Sequence, residues 1–155
     1  MSAINNAISD GIAQLIKKDE GCDLTVKSRI NADGKTEIFV GYGHNVLPSD
    51  NLSIGDTISQ QTAENLFNHD MVWTETGVRQ LVKDYDMQPE RIQYVLCNMA
   101  FNNGTEGLRK YKRFLHYINL HLYSEAADEI VDSDNYRRKD LHSRYDRLQA
   151  MVRQS

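Results

Sequence analysis

Two runs rich in β-forming side chains, Leu24 to Ile30 and Lys35 to Tyr42, stand between helical patterns, and this placement limits the possible fold more than any other feature. They flank Asn31-Ala32-Asp33-Gly34, whose Asp-Gly step favours a hairpin turn. Before them, Ile4, Ile8, Ile12, Leu15 and Ile16 recur at helical spacing and predict an amphipathic helix ending near Lys18. After them, a loop with Pro48 and Gly55 leads to Ser59, which suits the N-cap of a helix carrying Ala63, Leu66, Phe67 and Val72. Everything from there on reads as helical. Pro89 and Glu90 fit the first turn of a helix through Ile92, Val95, Leu96 and Met99, the expected centre of a second lobe. Asn102-Asn103-Gly104 breaks it, and further helices are expected at about 106 to 122, 124 to 131 and 141 to 153. The expected fold class is α+β, mainly α, with a small N-terminal antiparallel sheet and a helical C-terminal lobe. We expect a single domain over 1–155, its N-terminal lobe at about 1–58 and its helical lobe at about 59–155.

A chain of 155 residues can bury about two thirds of its unfolded surface, enough for an independent core. Hydrophobic residues at 40% and charged residues at 26% fit a soluble globular protein. No stretch approaches the roughly 20 apolar residues of a membrane span, so no stable membrane insertion is expected. The net charge of −4 gives no general attraction for nucleic acid or anionic lipid, and no nucleic-acid partner is expected. The N-terminus lacks a basic region, an apolar core and a small-residue cleavage site, so translation in a cytoplasm without a signal peptide is expected. Cys22 and Cys97 lie far apart and outside any Cys-x-x-Cys pair, as reduced thiols would.

The chemistry-bearing feature is Lys17-Lys18-Asp19-Glu20-Gly21, which places a glutamate at the end of the first helix. The C-terminal end of a helix is the negative end of its macrodipole and an electrostatically poor place for an ionised acid. An acid held there tends to keep its proton, as a glycosidase's proton donor must. The bland alternative is a solvated helix-end carboxylate salted by Lys17 or Lys18. His44, after Gly41-Tyr42-Gly43, reads as a hydrogen-bonded structural histidine. That segment lacks the third glycine of a nucleotide fingerprint. His116 and His121, five apart, share no helical face, and no metal site or cofactor is expected.

These parts together resemble the lysozymes of T-even bacteriophages and their endolysin relatives. The resemblance runs through Glu20-Gly21, Asp33 before Gly34, and Phe39-Val40-Gly41-Tyr42-Gly43-His44. It continues through Ala63-Glu64-Asn65-Leu66-Phe67-Asn68-His69-Asp70, Asn98-Met99-Ala100-Phe101-Asn102-Asn103-Gly104 and Glu125-Ala126-Ala127. It implies a two-lobed lysozyme-like fold and cleavage of the β-1,4 bond between N-acetylmuramic acid and N-acetylglucosamine in peptidoglycan. Glu20 would be the general acid and Asp33 the base that activates water. Asn45, Phe101, Phe114 and Glu129 would line a cleft that holds the glycan strand, although Phe101 and Phe114 are equally well core aromatics. A monomer without metal or cofactor is implied, acting in host lysis, made in the host cytoplasm and released to the periplasm or cell wall through a holin. Phe39 departs from the pattern, because it stands where the family has a threonine that helps to hold the attacking water. Glu37 faces the same side of a regular strand and is the alternative base. Arg137, Arg138, Lys139, Arg144 and Arg147 form a basic cluster that is either a solvated face or a contact for wall carboxylates. The rival functions are a noncatalytic glycan-binding or structural protein on this scaffold, and a glycan lyase that needs only Glu20.

Overall fold

A computed structural model describes residues 10–30, 34–131 and 139–155. Among them the elements run α1 (Asp10–Glu20), β1 (Asp23–Ile30), β2 (Thr36–Gly41), β3 (His44–Asn45), α2 (Gln60–Leu81), α3 (Glu90–Arg109), α4 (Lys112–Asn119), α5 (Tyr123–Val131) and α6 (Lys139–Arg153). This is a mainly helical α+β fold of lysozyme type. No helix among the described residues is long and apolar enough to cross a membrane.

Two compact units divide inside α2, between Trp73 and Thr74. The expected lobe boundary, near residue 58, falls earlier, in the loop before that helix. The N-terminal half of α2 serves the first unit's core: Ala63 and Phe67 are buried with Val26 and Val40, as are Ile12 and Ile16 of α1. Ser59 caps α2 as its sequence suggests, its hydroxyl accepting from the Thr62 N–H at 3.0 Å. The apolar stripes are narrower than expected. Leu15 is 44% and Val72 55% exposed.

The sheet is antiparallel in the order β1-β2-β3. Lys27 opposes Phe39 and Arg29 opposes Glu37, with a bulge between Asp23 and Lys27. As an edge strand, β1 leaves its outer side to the loop before α2: Val26 N–H donates to Asp56 O at 2.8 Å and Gly55 N–H donates to Val26 O at 2.9 Å. The hairpin apex 31–33, with Asp33, lies outside the described residues.

In the second unit, α5 packs on α4 and α6, and α3 packs on α6. The core includes Tyr94, Leu96, Met99, Ile118, Ala127 and Leu148. Gly104 interrupts α3 with φ 75° and ψ 163°, the break that Asn102-Asn103-Gly104 predicts, but the helix resumes to Arg109. The single helix expected at about 106 to 122 is instead divided. Lys110 N–H turns back to Gly107 O at 3.3 Å and Tyr111 N–H to Leu108 O at 2.9 Å, and Tyr111 adopts φ −80° and ψ 60°, so α4 starts only at Lys112. Cys22 is exposed and Cys97 buried, and neither forms a disulfide. Burial pushes the Cys97 thiol up to about 12, which keeps it an inert core group.

Candidate active site

Glu20 is the last residue of α1, two residues beyond the expected end. Gly21 terminates the helix with φ +69°, and its N–H bonds back to Lys17 O at 2.9 Å. The Glu20 side chain is half-buried and lies against the turn after β2. A Cβ built on Gly43 would stand 2.9 Å from Glu20 Oε1. The acid therefore rests where only a glycine leaves room.

Each residue of Gly41-Tyr42-Gly43-His44 has a separate physical task. Gly41 has φ +66° and meets Ala63 of α2, whose Cβ would lie 3.4 Å from an added Cβ. Tyr42 donates its hydroxyl to Glu64 Oε2 at 2.6 Å and sets its ring edge-on to Phe67 at 5.3 Å. Gly43, at φ +73°, seats the acid. His44 is buried between two carboxylates, Nδ1 to Asp70 Oδ2 at 2.8 Å and Nε2 to Asp50 Oδ2 at 2.9 Å. Asp70 is the main cause that raises the imidazole to about 9; burial opposes it and Asp50 adds to it. His44 is thus a charged structural brace between the turn, the 47–50 segment and α2.

Gly43→Ala is expected to cost turnover more than stability. The left-handed backbone costs roughly 1–2 kcal/mol with a Cβ present, whereas displacement of the acid by about an ångström costs on the order of 100-fold in rate. Urea melts and kcat measured on one preparation check this. Wild-type turnover in a folded Gly43→Ala protein would remove the close approach from the site.

Glu64 and Lys17 form an ion pair, and Gln60 Nε2 donates to Glu64 Oε2 at 3.0 Å. Lys17, Tyr42 and Gln60 hold the Glu64 carboxyl down at about 2 against its partial burial. This network escaped sequence reasoning, as did the two carboxylates on His44. The available signal was the segment from Ala63 to Asp70, where Glu64, Phe67 and Asp70 recur at i, i+3 and i+6 on one helical face.

The remaining expected site residues divide between the two units. Asn45 is exposed on β3, paired through its backbone with Phe39. Phe39 is half-buried, and the Arg29 guanidinium lies 4.5 Å from the centre of its ring. Arg29 Nε also donates to Glu37 Oε2 at 3.2 Å, so Glu37 and Phe39 share a face, as strand alternation requires. In the second unit Phe101 of α3 is half-buried. Glu129 on α5 pairs with Arg113 on α4 at 3.4 Å. Phe114 is corrected from glycan contact to core residue: it is 1% exposed and meets Tyr111 edge-on at 6.4 Å, leaving no ring face for a sugar. Arg137 and Arg138 of the basic cluster lie outside the described residues. Arg147 is committed elsewhere, donating to the Tyr94 hydroxyl at 2.8 Å.

A glutamic acid at the end of a helix, seated on a Gly-x-Gly turn of a small sheet and followed by a helical unit, is the arrangement of a lysozyme-type glycoside hydrolase. The phage lysozyme family profile matches residues 17–151, and the chain belongs to that family. It is 30% identical over 125 residues to the endolysin of Salmonella phage P22, covering 79% of this chain and 80% of that relative. Family membership places it among the bacteriolytic hydrolases that degrade peptidoglycan.

Proposed function

We propose that this protein hydrolyses the β-1,4 bond between N-acetylmuramic acid and N-acetylglucosamine of peptidoglycan, with Glu20 donating a proton to the glycosidic oxygen. The observation that carries the proposal is the placement of Glu20, at the negative end of α1 with Oε1 against Gly43. A fixed, half-buried carboxyl at that pole suits a proton donor. Asp33 is the proposed base for the attacking water in an inverting reaction, a mechanism that requires roughly 6.5 to 9.5 Å between its acid and base carboxyls. Glu37 is the poorer choice, because Arg29 Nε already engages its carboxylate at 3.2 Å. Asn45, Phe101 and Glu129 are proposed to contact the glycan. The setting is phage-mediated host lysis, with passage from the cytoplasm to the wall through a holin.

Asp33→Asn is expected to lower turnover about 100-fold and Glu37→Gln less than about threefold, within the usual range of general-base effects. Rates on purified peptidoglycan decide between them, and the reverse order would give Glu37 the role.

Phe39 favours a second reading, a weak or noncatalytic glycan binder, since its ring has no hydroxyl for water and is capped by Arg29. Analysis of the wall digest separates the possibilities. Reducing muramic acid ends identify a muramidase and anhydro ends a lyase that needs Glu20 alone; retained binding to an intact wall identifies the noncatalytic reading.

A further inference from the structure

Glu64, on α2, gathers contacts from both elements that build the seat of the acid. Lys17, which pairs with it, lies three residues before Glu20 on α1, at the spacing that brings side chains to one helical face. Tyr42, whose hydroxyl reaches Glu64 Oε2 at 2.6 Å, immediately precedes Gly43. Gln60, one turn earlier on α2, donates to the Tyr42 hydroxyl oxygen at 2.9 Å and to Glu64 Oε2 at 3.0 Å, closing a ring of polar contacts. The Lys17 ammonium also stands 5.3 Å from the centre of the Tyr42 ring and 5.1 Å from that of Phe67. One carboxylate thus fastens the helix turn that carries Glu20 to the chain turn on which Glu20 rests.

We propose that Glu64 is a positioning residue for Glu20, holding the end of α1 in register with Gly43 through Lys17 and Tyr42 so that the acid's carboxyl keeps a single orientation. Buried apolar residues of α1, β2 and α2 already hold these elements together, whereas the Lys17 and Glu64 side chains are 17% and 29% exposed. Partly exposed ion pairs contribute little to stability. Their directional geometry is the larger contribution here, because proton transfer tolerates little displacement of the donor. Glu64 remains ionised wherever the protein is folded near neutrality, since Lys17, Tyr42 and Gln60 hold its carboxyl at about 2.

The test has a kinetic arm, which rests on the proposed muramidase reaction, and a spectroscopic arm that does not. Glu64→Gln is expected to lower kcat about 10-fold with KM within about twofold, at a temperature where the protein is fully folded. Tyr42→Phe keeps the ring against Phe67, removes the hydroxyl, and is expected to show a smaller loss in the same direction. Independently, the Gly43 amide resonance is expected to shift when Glu20 is replaced by glutamine, and that perturbation should fall by at least about half in the Glu64→Gln background. An unchanged perturbation in a folded Glu64→Gln protein overturns the proposal whatever the rates do. Absence of turnover in the wild type would remove the muramidase reaction while the Gly43 readout still decides the role of Glu64.

Discussion

Glu20→Gln is expected to abolish lysis, lowering turnover by about a thousandfold, with urea and thermal stability close to wild type. Glutamine preserves the length and shape of the side chain, so the contact with the Gly43 turn remains, but an amide has no acidic proton for the leaving oxygen. General acid catalysis contributes about 10²- to 10⁴-fold, and cleavage of an unactivated glycosidic bond has no other source of protonation at neutral pH. The loss should appear in kcat, with binding to insoluble wall retained, because the removed group acts on the scissile oxygen rather than on the bulk of the strand. Sedimentation of the variant with peptidoglycan and release of reducing ends measure the two quantities separately. A folded Glu20→Gln protein that releases reducing ends at the wild-type rate would end the assignment of Glu20 as proton donor.

The parts of this site that are legible in the sequence are those fixed by local rules. A β-rich pair of runs around Asp-Gly gives β1 and β2, a helical period gives α1, and a Gly-x-Gly step after a strand marks a sharp turn, realised with positive φ at Gly41 and Gly43. The purpose of that turn is not local. Gly41 needs its glycine for a left-handed backbone at φ +66°, but Gly43 also faces the Glu20 carboxyl, which an added Cβ would approach to 2.9 Å. Lys17 and Glu64 are separated by 47 positions, and no period or propensity links them. The two-residue strand β3 is too short to show an alternation. The break at Lys110 and Tyr111 carries neither glycine nor proline, so a charged run that would suit a continuous helix conceals an interruption of the helix. Phe114 shows the same limit on side chains. An aromatic on a helix reads alike whether it faces sugar or core, and only the tertiary packing of α4 decides that it is buried.

Between pH 6 and 9.5 the protein is expected to lose stability, and His44 should account for much of the loss. The imidazole has an ordinary value of 6.5 and is raised to about 9 in the folded chain, first by Asp70, with Asp50 adding to it and burial opposing. A group whose folded value exceeds its unfolded one stabilises fully below the unfolded value. That contribution is lost as pH rises through the folded one. A shift of this size corresponds to about 3 kcal/mol. On the acid side Asp50 acts with the opposite sign. Burial would raise its carboxyl, but the Leu47 N–H and His44 together hold it below the ordinary value, so its contribution is present above about pH 4 and lost as pH falls further. Stability from this triad is therefore greatest between roughly pH 4 and 6.5. Other groups titrate near pH 9 and above, so the informative quantity is a difference between proteins. Asp70→Asn keeps a hydrogen-bond partner for Nδ1 but removes the principal charge, and it should flatten the decline between pH 6 and 9.5. Urea unfolding of both proteins at those two pH values measures it. Parallel declines would show that His44 is neutral in the folded chain and that the brace is held by hydrogen bonds alone.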